Sequence, residues 1–196
     1  MNAAAVVNLG LDDDALGAFG AGAIGGAVSP EVDALIKEAG LKRDQGDEAL
    51  ALLEQARTLA PSHPGPLIAL YRFHFYGHAL DKARAVGEDA LAIARAALGP
   101  NFGDAPPDDD ALRHDPAVRF YLFTLKGLAY LSLRLGDFDE ARLMLAALRQ
   151  LDPKDHLGGA LLSHVLARRE AADTPDAVDP LSAYPVRGWN GNGAKL

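Results

Sequence analysis

GDFDEARLMLAALRQLDP, residues 136–153, holds a turn, a helix start, an apolar stripe and a stop. Gly136 and Asp137 read as the turn. Asp139 and Glu140 fall in the first helical turn, where carboxylates favour the positive end of the helix dipole. Ala141, Leu145 and Leu148 recur at helical spacing and predict a buried face. Pro153 cannot continue a helix and disfavours helical backbone in the residue before it. Copies of this unit stand upstream. Ala49 and Ala83, each near the start of a helix, are 34 residues apart. Ala83 and Ala141 are 58 apart, a 34-residue step with 24 residues inserted. The insertion matches the proline- and aspartate-rich stretch GPNFGDAPPDDDALRHDP. Pro61 and Pro153 each follow their alanine by twelve residues.

The rest of the central chain also reads as helix. Ser29, Pro30 and Glu31 supply a capping hydroxyl, a first-turn proline and an acid. Val32, Leu35, Ile36 and Ala39 follow at helical spacing, with Gly40 costly inside that helix. A second helix opens at Gly46–Asp47, with Leu52, Leu53, Ala56 and Leu59 as its stripe and Pro61 as its stop. HPGPLIALYRFHFYGHAL reads as a third, with Pro66 in its first turn and Leu67, Leu70, Tyr71 and His74 on one side. A fourth runs over 81–98 and is closed by Gly99–Pro100. No helix should cross the prolines that follow, and a strongly apolar fifth helix reads from Val118. After the 136–153 helix, a seventh starts at Asp155 with Leu157, Leu161 and Val165 as its apolar stripe.

The repeated unit resembles the tetratricopeptide repeat family, whose ~34-residue repeat is a pair of antiparallel helices. In the third unit Leu125, Leu128 and Ala129 match the family's large–large–small triplet. Gly136 to Ala141 match its turn and second-helix start, and Leu145, Leu148 and Pro153 complete it. The second unit keeps Leu67, Leu70, Ala83 and Ala90. It has Tyr71 where the family has a small residue, Gly87 where a bulky one is usual, and no closing proline. The first keeps Gly46, Asp47, Ala49, Leu53, Ala56 and Pro61. The resemblance covers about residues 30–170. It implies an all-α fold, a short α-solenoid of about three helix pairs within one domain at 29–171. The units are 30–63, 64–97 and 122–155, with an insertion loop at 98–121 and a capping helix at 156–171. One unit cannot bury both of its faces, so units stack and a terminal helix covers the last. Residues 1–28, rich in glycine and alanine, read as a flexible arm, within which Asp12–Asp14 can cap a short helix near 13–19. Residues 172–196, rich in proline and glycine, read as a disordered tail. The tail's Trp189 is either a linear motif for a partner, a self-ligand that folds into the groove, or an unselected residue.

Composition narrows the function. Hydrophobic residues make up 49% and aromatics 7% of the chain, a balance that favours helices over sheets. A net charge of −8 argues against general nucleic-acid binding. The chain has no cysteine, which excludes disulfides, thiol catalysis and cysteine-ligated metals. No apolar run is long enough for a membrane span. The N-terminus has no basic leader, so the expected location is cytoplasmic.

In the tetratricopeptide family the first helices of successive units line a concave groove. The resemblance therefore assigns partner contact to Arg43 in the first unit, to Ile68, Arg72, Phe75 and Tyr76 in the second, and to Lys126, Tyr130, Leu133 and Arg134 in the third. For Phe75, Tyr76 and Tyr130, packing in the core is an equal reading. Arginine forks and tyrosine rings suit an extended peptide with a carboxylate or acidic side chains. The family's carboxylate-clamp subset needs asparagines beside its basic residues, and none occurs between residues 31 and 100. The implied function is a non-enzymatic protein-interaction module without cofactor, an adaptor or assembly factor. A homodimer is compatible with it. A dedicated chaperone of a secreted or multi-subunit client is a second reading. A histidine-based metal carrier or enzyme is a third: His74 and His78 stand one turn apart, a metal-ligand spacing, although Gly77 breaks that face. Packed or surface histidines explain the pair more simply. The aspartates of the inserted loop lack the layout of a calcium loop.

Overall fold

The computed structural model describes residues 26–173. The readings of most of the arm, its short helix and the tail with Trp189 fall outside the described residues. Within them the chain is all-α, and no strand occurs. Helix starts follow capping chemistry. Ser29 Oγ accepts from the Val32 amide at 3.3 Å and Pro30 opens α1 (Pro30–Leu41). Then come α2 (Gly46–Leu59), α3 (Pro64–Tyr76) and α4 (Leu80–Leu98). The inserted segment carries a short α5 (Asp109–His114), followed by α6 (Pro116–Leu135), α7 (Phe138–Leu151) and α8 (Gly159–Asp173).

The three second helices begin alike. Gln45, Ala79 and Asp137 hold ψ at 69°, 66° and 67°. The amides of Ala49, Ala83 and Ala141 donate to their carbonyls at 2.9, 3.0 and 3.0 Å. All three alanines are buried, so the spacing read in the sequence is a repeat of geometry. The residues before the stopping prolines also agree, Ala60 at φ −139°, ψ 67° and Asp152 at φ −128°, ψ 69°. Gly136 ends α6 in the left-handed region at φ +85°, where a side chain would be strained. The helices pack in succession, α1 on α2, α2 on α3, α3 on α4, α4 on α6, α6 on α7 and α7 on α8.

Two apolar cores result. One joins α1 to α4 through Ala39, Leu53, Leu67, Leu70 and Ala90, and receives Phe120 from α6. The other joins α6 to α8 through Leu125, Leu128, Leu145, Leu148 and Leu162. Arg57 pairs with Asp89, and Arg84 with Asp137, tying second helices across unit boundaries. These pairs are solvent-facing and each adds little.

Three boundaries and two buried faces differ from the sequence reading. The fifth long helix starts at Pro116, ahead of Val118 and of the expected unit start at 122. The Asp115 carboxylate accepts from the amides of Ala117 and Val118 at 2.8 and 3.1 Å and Pro116 fills the first helical position, a complete start signal. The expected loop at 98–121 therefore shrinks to residues 99–115, and its α5 is capped by Asp108. That segment is held in place: Arg95 lies 5.6 Å from the Phe102 ring centre and donates to the Phe102 carbonyl, while Phe102 meets Tyr121 edge-on at 5.0 Å. In α2 the buried face is Ala49, Leu53 and Ala56, while Leu59 is exposed one turn beyond it.

The last helix starts at Gly159, and its register departs by one position. Leu162 and Leu166 are buried, while Leu161 is 61% exposed and Val165 is 40% exposed. Gly159 sets this phase. A Cβ there would stand 2.7 Å from Leu148 Cδ2, so glycine allows this seat without moving that side chain, and the third and seventh residues after it face the core. Asp155 is a turn residue at φ +57° whose carboxylate accepts from the Ala160 amide at 3.0 Å.

Candidate functional site

The first helices of the second and third units, α3 and α6, run parallel and meet through side chains alone. Ile68, Tyr71 and Phe75 of α3 face Phe123, Gly127 and Tyr130 of α6 in the same order. Nowhere do the two backbones approach within 8 Å. Between them lies a cleft floored by Gly87 and Ala90 of α4 and walled by Leu67, Ile68, Tyr71, Phe120, Phe123, Thr124 and Gly127. It is partly open to solvent, and its cavity volume is about 40 Å³.

Small residues create the space. A Cβ on Gly127 would stand 3.0 Å from the Tyr71 hydroxyl, and one on Gly87 would stand 2.8 Å from Leu128. The Tyr71 hydroxyl oxygen is buried and makes no hydrogen bond with any described group. Burial pushes its phenol well above the ordinary tyrosine range, so it is a standing hydrogen-bond donor. An unmet buried hydroxyl costs about 1–3 kcal/mol relative to one that is paired.

One end of the cleft is aromatic. Phe75 stacks on Tyr71 with ring centres 5.9 Å apart, meets Tyr76 edge-on at 5.4 Å and leans on Tyr130 at 6.0 Å. Arg134 donates to the Tyr130 hydroxyl at 2.9 Å and lies 5.8 Å from its ring centre. Tyr76 and Arg134 are exposed, while Phe75 and Tyr130 are half-buried. The aromatic residues therefore serve as wall and as surface at once.

The other assigned residues separate from this group. Lys126 donates to the Leu157 carbonyl, tying α6 to the turn before α8. Burial lowers the pKa of its ammonium, opposed by the nearby Asp155 carboxylate. Leu133 packs against the second core. Arg43 is exposed in the turn between α1 and α2, and Arg72 is half-buried on α3.

The histidine pair is not a helical pair. The α3 helix ends at Tyr76, and His78 sits beyond it at φ +58°. His74 is buried with its ring edge-on to Phe73 at 5.4 Å. Among the described residues no three His, Asp or Glu side chains come together as a metal site. Burial chiefly lowers the pKa of His74, helped by Lys82 and opposed by Glu54. A lowered folded pKa means the unfolded chain binds more protons. The stability this group contributes is complete above about pH 6.5, the ordinary histidine value, and falls away as pH drops towards the folded pKa. Urea melts at pH 7.5 and 5 are expected to show a larger loss of midpoint in the wild type than in His74→Leu. Equal losses would remove His74 from the acid sensitivity.

A histidine passed over in the sequence caps the helix that forms one wall of the cleft. His63 caps α3: the Gly65 amide donates to its Nδ1 at 3.0 Å. The proton is therefore on Nε2, which donates to the Gly26 carbonyl at 3.0 Å. Gly26 is thereby fixed beside the first turn of α3. The dipeptide His63–Pro64 before an apolar helix was the available signal, but histidine is not among the strongly preferred caps.

The "uncharacterized 19.8 kDa protein in nifW 5′ region" of Azotobacter chroococcum mcd 1 is 35% identical over 149 residues, covering 74% of this chain and 82% of that one. The chain belongs to the family of that protein. No family model and no solved structure matches it. No described helix is long and apolar enough to cross a membrane.

Proposed function

We propose that this protein is a tetratricopeptide-type interaction module that holds an extended segment of a partner protein in the α3/α6 cleft. The observation carrying this reading is the apolar cleft with an unmet Tyr71 hydroxyl on its wall and the exposed Tyr76 and Arg134 at one end. An apolar side chain of the partner fills the cleft, a backbone carbonyl accepts from Tyr71, and Arg134 attracts an acidic side chain. In this reading it works in the cytoplasm as an adaptor or assembly factor. The relative's name places it in the nifW 5′ region, so the nifW product is the first partner to try.

The test uses overlapping fifteen-residue peptides of the nifW product and fluorescence anisotropy with the full chain. Tyr71→Phe is expected to weaken binding about fivefold while stabilising the free protein by about 1 kcal/mol, because the same hydroxyl is unmet without ligand and met with it. Tyr130→Ala with Arg134→Ala should weaken binding further. Peptides that bind all variants equally would move the site elsewhere, and no binding peptide would remove this partner.

A further inference from the structure

We propose that the protein carries its own ligand for the cleft: the segment just before Gly26, anchored by Phe19. This goes beyond the partner-binding reading and stands without it. The first observation is where the described chain begins. The Gly26 carbonyl is held by His63, and a Cβ on Gly65 would stand 3.3 Å from Val28. Residues 26–28 thus pass the first turn of α3, whose next residues, Leu67 and Ile68, line the cleft. The chain leading to Gly26 leaves beside the helix that forms one wall of the cleft. The tail leaves from α8, which among the described helices packs on α7 and α6, and Glu170 near its end pairs with Arg142 on α7.

Reach and composition then select the anchor. Phe19 stands seven residues before Gly26, a span of up to about 25 Å, while Ile68 to Tyr71 covers only about 5 Å of helix. Within that reach Phe19 is the one aromatic residue, and GAFGAGAIGG surrounds it with glycine and alanine. Such neighbours leave the backbone bare, so a carbonyl beside Phe19 can approach the buried Tyr71 hydroxyl and accept its proton. A tethered segment meets its site at an effective concentration of roughly millimolar, enough for a weak anchor to stay seated.

The absence of cysteine permits a direct test in the full chain. A nitroxide on Ala15→Cys is used to broaden amide signals by paramagnetic relaxation. Broadening several-fold stronger at Ile68, Tyr71, Thr124 and Gly127 than along α8, and returning to the α8 level when Phe19→Ser is added, is the expected result. Uniform broadening, broadening centred on α7 and α8, or no effect of Phe19→Ser would overturn the proposal. So would broadening passed to isotope-labelled chains mixed with unlabelled spin-labelled ones, since the occupant would then be a second copy. Both substitutions lie outside the described residues, and a thermal melt of each variant checks that the helical domain is intact. Peptide binding is measured separately: peptides that bind while the broadening fails would leave the partner site standing and remove only this occupant.

Discussion

Asp152→Ala is expected to destabilise the protein by about 3 kcal/mol and to lower its melting temperature by roughly 6–12 °C. Asp152 is 4% exposed. Its Oδ1 accepts from the His156 amide at 3.0 Å and from His156 Nδ1 at 2.9 Å, and its Oδ2 accepts from the Leu157 amide at 2.8 Å. One carboxylate thus closes the turn that delivers Gly159 to Leu148 and the Leu157 carbonyl to Lys126. Its removal orphans two backbone amides and an imidazole, and hydrogen bonds to a charged group are the stronger kind. Asp152→Asn keeps one acceptor oxygen and should lose about half as much. Thermal melts of the three proteins check the order. A melting temperature for Asp152→Ala within about 2 °C of the wild type would show that the turn holds without its carboxylate.

Gly87→Leu is expected to destabilise by about 2–3 kcal/mol, although the repeat resemblance expects a bulky residue at that position. The reason is Leu128, fully buried, whose side chain crosses over Gly87 from α6 and supplies the missing volume. A Cβ at 87 would stand 2.8 Å from Leu128 Cδ2 and 3.5 Å from Tyr71. Leu128→Ala alone should cost about 3 kcal/mol through its cavity. Together the two changes restore the volume in mirror image, so the double variant should recover about 1–3 kcal/mol of the summed loss. Denaturant midpoints of the four proteins give that coupling. Strict additivity would mean the two positions do not share one space.

The repeat was legible because its markers are local. Ala49, Ala83 and Ala141 are small residues buried at the same point of each second helix, so the marker is written at each position. Starts written in capping chemistry were equally legible at Ser29–Pro30. The same rule applied to Asp115–Pro116 would have placed the start of α6. The register of α8 was not legible. Leu161, Leu162, Val165 and Leu166 offer two adjacent stripes of equal apolar content, and the choice between them is made by the contact of Gly159 with Leu148. The cleft was hidden for a similar reason. It exists because Gly87 and Gly127 lack side chains opposite Tyr71, and a cavity has no residue of its own to announce it. Among the groove residues, Phe75, Tyr76, Tyr130 and Arg134 come together because helical spacing places them on facing sides. Lys126 was drawn away by a carbonyl 31 residues downstream, a contact that no local pattern encodes.

The two apolar cores meet chiefly along α4 against α6, while α3 and α6 make no backbone contact. In a chain built this way, cooperativity is a property of that junction. Amide hydrogen exchange should then sort the helices into two sets, α1–α4 and α6–α8, each opening with its own free energy. Whatever fills the cleft bridges both sets at once, so an occupant would fuse two foldons into one and slow the exchange of amides it never touches.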